Sequence, residues 1–376
     1  MRLLIALLFG CGLYFAQMYL YRYFWKEGLS VSIDFGRGLL REGEDNELIE
    51  TISNDKVLPL PVIQVKFSIT RSFVFKRQDN SAVTDQYYRN DFFSLLPYRK
   101  TTRIYPFRCT KRGYYSVSGL DIICKDLFLT GMMLQSVKPQ ASVCVLPARL
   151  TPDEIPQSVR ELTGDIIDGI RRNEDPFEFA GIREYQPYDP MNRINWKASA
   201  GSQKLLVNKF YTTLMRRVII CLNAECHIKW HEETFIEEEI RLAASLADRF
   251  IESHIPTALI SNGCDIVTGE PVCVDAGADS LHLTNLETAL ARLNAACLKG
   301  DFAGMIREQM CDERYDRTEC VIISNYRKQD LYETYRDLRD KGVSIHWIIP
   351  EYSMMEPRLT GQGDKHIVKW TVRNEG

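Results

Sequence analysis

The sequence has almost no net charge and lacks the common catalytic signatures. Its 47 basic and 50 acidic side chains leave a net charge of −3 over 376 residues. Because so small a global field does not attract polyanions, nothing indicates a nucleic-acid binder. The patterns G-x-x-x-x-G-K-[ST], H-E-x-x-H and G-x-S-x-G do not occur. P-loop nucleotide binding, helical zinc proteases and nucleophile-elbow hydrolases are therefore excluded.

Internal repeats, low-complexity segments and C-x-x-C pairs are absent as well. Apolar residues make up 45% and charged residues 26%, which excludes a mainly disordered, collagen-like or polytopic membrane protein. The length is roughly two to three times that of a usual domain, which favours two domains. Most of the eleven cysteines lie in apolar runs such as Val143-Cys144-Val145. Free thiols act there as small hydrophobes, and this favours a reducing compartment.

One long apolar run is present, near the N-terminus. Between residues 3 and 20 only Gln17 is strongly polar, and about 18 residues at 1.5 Å each reach roughly 27 Å, close to the hydrocarbon thickness of a bilayer. Four aromatic residues lie where a span would meet the headgroups, namely Tyr19, Tyr21, Tyr23 and Trp25. Residues 1–27 are therefore predicted to be a transmembrane anchor. The alternative is a cleaved signal peptide, but no small-x-small cleavage site precedes the aromatic residues.

Flanking charge predicts the orientation of this anchor. Arg2 precedes the run, whereas Arg22, Lys26, Arg37 and Arg41 follow it. Basic residues collect on the cytoplasmic side of a membrane. We therefore expect a single-pass protein of the cell membrane whose soluble domains, residues 26–376, lie in the cytoplasm.

Residues 28–148 have the pattern of antiparallel β structure. Seven short strand-type runs are separated by turn signals, at 31–33, 47–52, 62–70, 101–108, 114–117, 120–124 and 142–146. In the third run, Val65, Phe67 and Ile69 alternate with polar residues, which indicates one buried and one solvated face. This spacing predicts an immunoglobulin-like β-sandwich.

The pattern changes after residue 212. Strand-type runs at 217–222, 257–260, 319–323 and 343–349 alternate with helical periodicity at 234–254, 286–298 and 330–341, and 366–372 suits an edge strand. Strands alternating with helices predict an α/β doubly wound domain over 213–376. The intervening residues 149–212 are predicted to be a linker.

This linker carries the most specific motif of the chain. Residues 183–200 read R-E-Y-Q-P-Y-D-P-M-N-R-I-N-W-K-A-S-A. Asp189 can cap a helix that starts at Pro190 and ends at Gly201, so we expect one helix of about eleven residues. Arg193 and Lys197 then share a face at i, i+4.

These residues resemble the signature of the bacterial and archaeal domain-of-unknown-function family 58, R-E-Y-x-P-G-D-x-x-R-x-I-x-W-K-A-S-A. Residues 111–115 and 125–128 also resemble the family's R-G-x-Y and D-P-F-G-L stretches. The resemblance covers most of the chain after residue 100. It implies an N-terminal anchor, a β-sandwich-like region and a C-terminal von Willebrand factor A-like domain. It also implies a partner, a MoxR-type AAA+ ATPase encoded by a neighbouring gene, but no settled biochemical activity.

The signature residues fit two compatible roles. They can form an ion-pair and aromatic clamp that fixes the segment, or a docking surface for a partner, since Trp and Arg often anchor interfaces. The residues assigned to this site are Arg183, Glu184, Tyr185, Asp189, Arg193, Trp196 and Lys197.

A metal-binding A-like domain carries D-x-S-x-S after its first strand, because a carboxylate and two hydroxyls supply three hard oxygen ligands. Residues 223–227 read N-A-E-C-H instead, with Asn223 in place of Asp and neither serine present. A later Asp often found in such domains falls at Asn325. We therefore predict a degenerate metal-site loop without a metal ion, formed by Asn223, Glu225, His227 and Asn325, although Glu225 could still supply one oxygen.

Three other polar clusters have simpler interpretations. A zinc site is disfavoured because its first thiol lies inside an apolar strand; its ligands would be Cys221, Cys226, His227 and His231. The acidic residues of 232–239 are interpreted as a solvated helical turn, with a binding patch as the alternative. A carboxylate pair for acid/base chemistry is disfavoured against a polar linker; its candidates are Asp165, Asp168, Glu174 and Asp175.

The sequence thus favours a membrane-anchored, non-enzymatic binding or scaffold protein, without cofactor, that engages a MoxR-type ATPase in protein complex assembly or maturation. The alternative is a divergent metal-dependent A-type domain that recognises a protein ligand through Mg²⁺. A hydrolase that uses the carboxylates of 165–189 is the third class.

Overall fold

The computed structural model describes residues 2–75, 81–83, 86–138, 141–172, 179–186, 189, 191, 194–202, 204–210, 216–226, 232–310, 318–326, 328–351 and 366–372. The chain forms two compact units, Met1–Ala148 and Arg149–Gly376. The first consists of one helix followed by strands, and the second mixes helices and strands.

Helix α1 spans Arg2–Phe24. Its part Leu3–Phe24 is long and apolar enough to cross a membrane, and an 18-residue window within it has a mean hydropathy of 1.9. One face of its second half contacts the strands of the same unit. The Gln17 amide donates to the Asp126 carboxylate at 3.1 Å, and the Tyr21 hydroxyl donates to the Pro59 carbonyl at 2.8 Å.

The aromatic residues at the end of α1 divide between two faces. Tyr21 and Trp25 are buried in the core of the β structure, whereas Tyr19 and Tyr23 are exposed, with ring centroids 4.5 Å apart. Positions two apart lie on different sides of a helix, since each residue turns by about 100°. Two of the four predicted headgroup contacts are therefore packing contacts within the protein.

The remainder of the first unit is a β-sandwich. Its strands are β1 (Leu29–Phe35), β2 (Leu39–Arg41), β3 (Asp45–Asn54), β4 (Leu60–Thr70), β5 (Phe73–Phe75), β6 (Ser81–Val83), β7 (Gln86–Leu95), β8 (Arg99–Cys109), β9 (Gly113–Ser116), β10 (Ser118–Lys125), β11 (Met132–Val137) and β12 (Ser142–Leu146). They pair in the orders β1-β3-β8-β5, β11-β10-β4-β7-β6 and β2-β12-β9. The predicted alternation in β4 is confirmed, since Val65, Phe67 and Ile69 face the common core.

The second unit contains the elements α2 (Gln157–Arg172), β13 (Phe179–Glu184), α3 (Trp196–Ser202), β14 (Leu206–Phe210), β15 (Arg217–Leu222), α4 (Glu232–Glu252), β16 (Thr257–Asp265), β17 (Pro271–Gly277), α5 (Ser280–Arg292), β18 (Leu293–Leu298), α6 (Phe302–Met310), β19 (Thr318–Ile323), α7 (Gln329–Asp340), β20 (Ser344–Glu351) and β21 (Ile367–Thr371). Its large sheet has the order β17-β16-β15-β19-β20-β21, and β18 pairs with β16. Strands β16, β15, β19, β20 and β21 run parallel, while β17 is antiparallel to β16.

Helices cover both faces of this sheet. Alternate residues of β15 enter two separate cores: Val218 and Ile220 pack with α2, α4 and α5, whereas Ile219 and Cys221 pack with α6 and α7. A strand buried on both faces has no need for polar alternation, which explains the continuous apolar run at 217–222.

The segment 149–212 differs from a simple linker. Helix α2 places four apolar side chains in the core that β15 and α4 also enter, namely Val159, Leu162, Ile166 and Ile167. They recur at helical spacing, so the helix has one apolar face. The candidate carboxylates Asp165 and Asp168 belong to this same helix, while Glu174 and Asp175 lie outside the described residues.

Candidate functional site

Strands β15 and β19 lie side by side and end at the same edge of the large sheet, with Leu222 opposite Ile323. The chain turns one way from β15 to β16 and the other way from β19 to β20, so this edge is the topological switch point at which α/β sheets commonly bind ligands. The degenerate metal-site loop begins here at Asn223. Asn325 lies two residues beyond the end of β19.

A network of buried side chains closes this edge. The Asn223 amide donates to the Ser324 hydroxyl at 3.0 Å. The Asn262 amide donates to the Asn223 side-chain oxygen, also at 3.0 Å. That oxygen accepts the Glu225 backbone N–H at 3.0 Å, and the Asn262 oxygen accepts the Ala224 N–H at 2.7 Å. The Asn223 oxygen thus accepts two protein N–H groups, which uses both of its lone pairs, and the Asn262 oxygen accepts one.

Glu225 also has a protein partner. Its carboxylate contacts the Lys328 ammonium at 3.0 Å, and this hydrogen bond raises the pKa of the lysine. The Lys328 ammonium lies 4.6 Å from the centre of the Tyr326 ring. The Glu225 carboxylate, which could still have supplied one oxygen to a metal, is therefore neutralised by the Lys328 ammonium.

Asn325 is held by a buried acid. Its backbone N–H donates to the Glu239 carboxyl at 2.7 Å, and its side-chain amide donates to the Cys226 sulfur at 3.2 Å. Glu239 is fully buried, and this burial raises its pKa well above the usual range, against the smaller effect of the Asn325 hydrogen bond. The prediction that all of 232–239 is solvated is wrong for Glu239. It lies on α4 at helical spacing from buried Phe235 and Ile236, a signal that was available in the sequence.

The zinc arrangement does not form among the described residues. Cys221 lies in the core on one sheet face, 3.5 Å from the Cys320 sulfur, whereas Cys226 packs against the core on the other face. His227 and His231 lie outside the described residues. Within the part of the chain that the structure describes, no three His, Cys, Asp or Glu side chains form a group able to hold a metal.

The signature begins in the two-stranded sheet of β13 and β14. Arg183 forms a bidentate ion pair with Asp189, with both N–O distances at 2.6 Å. The Gln186 N–H donates to the same carboxylate at 2.8 Å. Asp189 was the predicted helix cap, but its oxygens are used here and α3 begins only at Trp196. The cap is Asn195, whose side-chain oxygen accepts the Ala198 N–H at 3.0 Å.

Other signature residues extend these contacts. The Glu184 carboxylate binds the Lys204 ammonium, and the Tyr185 N–H donates to the Leu205 carbonyl at 2.9 Å. Lys197 is exposed. Arg193 lies outside the described residues, so its predicted place in a clamp with Arg183 stays a prediction.

Trp196 does not form an aromatic clamp with the described residues, because it is 65% exposed. The helix that carries it is nevertheless fixed. The Ser199 hydroxyl donates to the Asn195 carbonyl at 2.8 Å and accepts the Leu206 N–H at 2.9 Å. Three more large apolar side chains of this segment are exposed, namely Ile182, Met191 and Leu205.

Comparisons with known proteins add little to this geometry. A scan against protein-family models finds no match, and neither does a search of curated proteins. Similar solved structures include the CARDB domain of a Pyrococcus furiosus protein, with 16% identity, 32% of this chain and 94% of that chain covered, and a TM-score of 0.21. An Archaeoglobus fulgidus cohesin is 15% identical, and the match covers 31% of this chain and 91% of the cohesin, with a TM-score of 0.20. Salmonella alpha-2-macroglobulin is 16% identical, and the match covers 32% of this chain and 7% of the macroglobulin, with a TM-score of 0.22. Similarities at these TM-scores indicate nothing about function.

Proposed function

We propose that this chain is a membrane-anchored, non-enzymatic binding or scaffold protein of the type that the family 58 signature implies. Its α/β unit is an A-like domain with a closed metal-site edge, and its partner is a MoxR-type AAA+ ATPase acting in protein complex assembly or maturation. The observation that carries the proposal is the exposed Trp196 on an anchored helix inside the signature.

An exposed tryptophan favours a docking role for the signature. Trp is among the residues that most often anchor protein interfaces, because its large ring can be desolvated at little entropic cost. Lys197 beside it adds a charge at the rim, where charges guide association more than they add affinity. The clamp and docking roles are thus divided: Arg183 and Asp189 fix the segment, while Trp196 and Lys197 face outward.

The closed sheet edge favours protein binding over metal-dependent binding. The Asn262 amide donates to the Asn223 oxygen, both amide oxygens accept backbone N–H groups, and Glu225 is neutralised by Lys328. A cation that used the Asn223 oxygen or the Glu225 carboxylate would have to displace these contacts first. The metal-dependent alternative therefore has no specific support at this edge.

Helix α1 supports membrane attachment, and we propose that residues 26–376 lie in the cytoplasm. The basic residues after the helix favour that side. The buried Cys109, Cys124 and Cys320 are free thiols, in keeping with a reducing compartment.

Co-purification tests the proposed partner. The full-length chain, extracted in detergent with a non-hydrolysable ATP analogue, is expected to retain an identified MoxR-type ATPase. Trp196→Ala should reduce its recovery by roughly tenfold or more, the effect of losing an interface anchor. Leu281→Ala is the matched control, since Leu281 is 70% exposed on α5 of the same unit.

Circular dichroism and thermal unfolding of each variant separate lost binding from lost folding. Recovery of the ATPase that is unchanged by Trp196→Ala would contradict the docking role. Failure of the parent chain to retain any AAA+ ATPase would contradict the proposed partner.

A further inference from the structure

The turn between β10 and β11 forms an apolar tip beside the middle of α1. We propose that this hairpin tip, residues 126–134, inserts into the same bilayer leaflet as the second half of α1, so that the β-sandwich is seated in the membrane surface. The inference rests on the membrane anchoring proposed above and adds a second lipid contact to it.

The composition of the tip suits lipid. No charged residue occurs between positions 127 and 137. Five large apolar side chains in this region are exposed by half or more: Leu127 53%, Phe128 55%, Leu129 55%, Met132 71% and Leu134 62%. Such a concentration on one turn is uncommon at a surface that faces only water and is typical of interaction sites.

Contacts fix the level of the tip along α1. The Tyr14 hydroxyl donates to the Thr130 hydroxyl at 3.3 Å, and the Tyr14 and Phe128 ring centroids are 6.1 Å apart. One turn further along the helix, Gln17 donates to Asp126 at 3.1 Å. The exposed apolar surface of the tip is therefore continuous with that of α1.

Helix geometry then places the tip in lipid. The rise from Leu3 to Tyr14 is only about 16 Å at 1.5 Å per residue, roughly half of the hydrocarbon thickness. If the membrane ended at Tyr14, the apolar residues between Arg2 and Tyr14 would be too few to span. If the membrane extends to the end of α1, about 15 Å further on, the tip lies inside it. A span that runs from Arg2 to the end of α1 thus places the tip inside the leaflet.

The polar side chains of Asp126 and Thr130 bond to each other within the tip, which lowers the cost of insertion into lipid. The Asp126 carboxylate is 1% exposed. Besides Gln17, it accepts the Thr130 N–H at 2.7 Å and the Thr130 hydroxyl at 2.8 Å. The turn also holds Leu129 in the left-handed region, at φ 61°, which is unfavourable for a bulky residue. The hairpin therefore maintains an exposed leucine at a conformational cost.

Site-directed spin labelling of the full-length chain tests the insertion. The exposed thiols Cys11 and Cys273 are replaced by serine, and a nitroxide is attached at Phe128→Cys. The protein is reconstituted in vesicles of phosphatidylcholine and phosphatidylglycerol. Ser118→Cys is the matched control, because Ser118 begins β10 and lies about 23 Å from Lys125 along the same strand. Leu134→Cys provides a second tip position if Phe128→Cys does not fold.

Accessibility of the label to oxygen, which concentrates in lipid, is compared with accessibility to a water-soluble nickel complex. The tip label should show an oxygen-to-nickel ratio several-fold above that of the Ser118 label. An equal ratio at the two positions would overturn the insertion. Low accessibility of the tip to both reagents would also overturn it, since protein would then cover the tip.

Flotation of the same vesicles after an alkaline wash separates the two proposals. A chain that floats while its tip is accessible to nickel contradicts only the insertion. A chain that does not float contradicts the anchor and the insertion together.

Discussion

Glu50 is a buried carboxyl in the core of the β-sandwich. It accepts the Tyr105 hydroxyl at 3.1 Å and has no solvent exposure. Burial, together with the nearby Asp91 carboxylate, raises its pKa from 4.5 to about 7, against the opposing effect of the Tyr105 hydrogen bond and of the neighbouring arginines Arg89 and Arg103. The folded protein therefore holds a proton on Glu50 that the unfolded chain releases at lower pH.

This shift makes the stability of the sandwich depend on pH. A carboxyl with a raised folded-state pKa contributes stability that is complete below pH 4.5 and is lost as the pH rises through about 7. The difference amounts to about 3 kcal/mol at most, at 1.36 kcal/mol per pKa unit. Glu50→Gln keeps an acceptor for Tyr105 and removes the titration. Its thermal midpoint should thus exceed that of the parent chain at pH 8 and approach it at pH 5.

Calorimetry of the full chain in detergent between pH 5 and pH 8 checks this expectation. Glu47→Gln is the control, because Glu47 lies exposed on the same strand, β3, and should leave the pH profile unchanged. A parent chain whose sandwich gains stability steadily from pH 5 to pH 8 would show that Glu50 is not protonated in the fold.

At the scale of elements, the bounds of strands with a clear apolar run could be predicted from the sequence. The strand over 142–146 has the bounds of β12, and the run at 217–222 those of β15, because a continuous apolar run ends where polar residues begin. Strands β2, β5 and β6 are too short, at three residues each, to show a period. The helix expected over 286–298 begins earlier, at Ser280 after the cap Asp279, and its last six residues form β18. Tertiary pairing with β16 overrides the local helical pattern there.

The short helix α3 depends on its cap. Asn195 accepts the Ala198 N–H and donates to the Asn208 side chain at 2.7 Å. Asn195→Ala removes both contacts and should destabilise this segment by about 1 to 2 kcal/mol, the usual cost of a lost N-cap. Faster amide exchange at Ala198, measured by hydrogen–deuterium exchange, is the expected result.

Ser202→Ala provides the comparison, since Ser202 is exposed at the last residue of α3 and its loss should leave the exchange of Ala198 unchanged. Equal protection of Ala198 in Asn195→Ala and the parent chain would mean that other contacts hold the helix.

At the scale of the whole molecule, the sequence predicted that the sheet edge at the ends of β15 and β19 has lost its metal ligands. It did not predict which side chains form hydrogen bonds there instead. The sequence itself shows that the D-x-S-x-S pattern is lost, because Asn223 replaces its first Asp. Asn262, Ser324 and Lys328 were not predicted, because only the parallel order of β16, β15 and β19 brings residues so far apart in sequence to one edge. A repeated signal does exist, since an asparagine follows the apolar part of each of these three strands.

Isothermal titration calorimetry of the full-length chain in detergent with Mg²⁺ tests most directly whether the sheet edge at Asn223 and Glu225 binds a metal. Because the Asn223 and Asn262 amides bond to each other and Lys328 neutralises Glu225, we expect no saturable binding heat at millimolar Mg²⁺, and no difference between the parent chain and Glu225→Ala. Saturable Mg²⁺ binding that Glu225→Ala abolishes, while circular dichroism shows the fold intact, would contradict the account and identify a metal-dependent A-type domain.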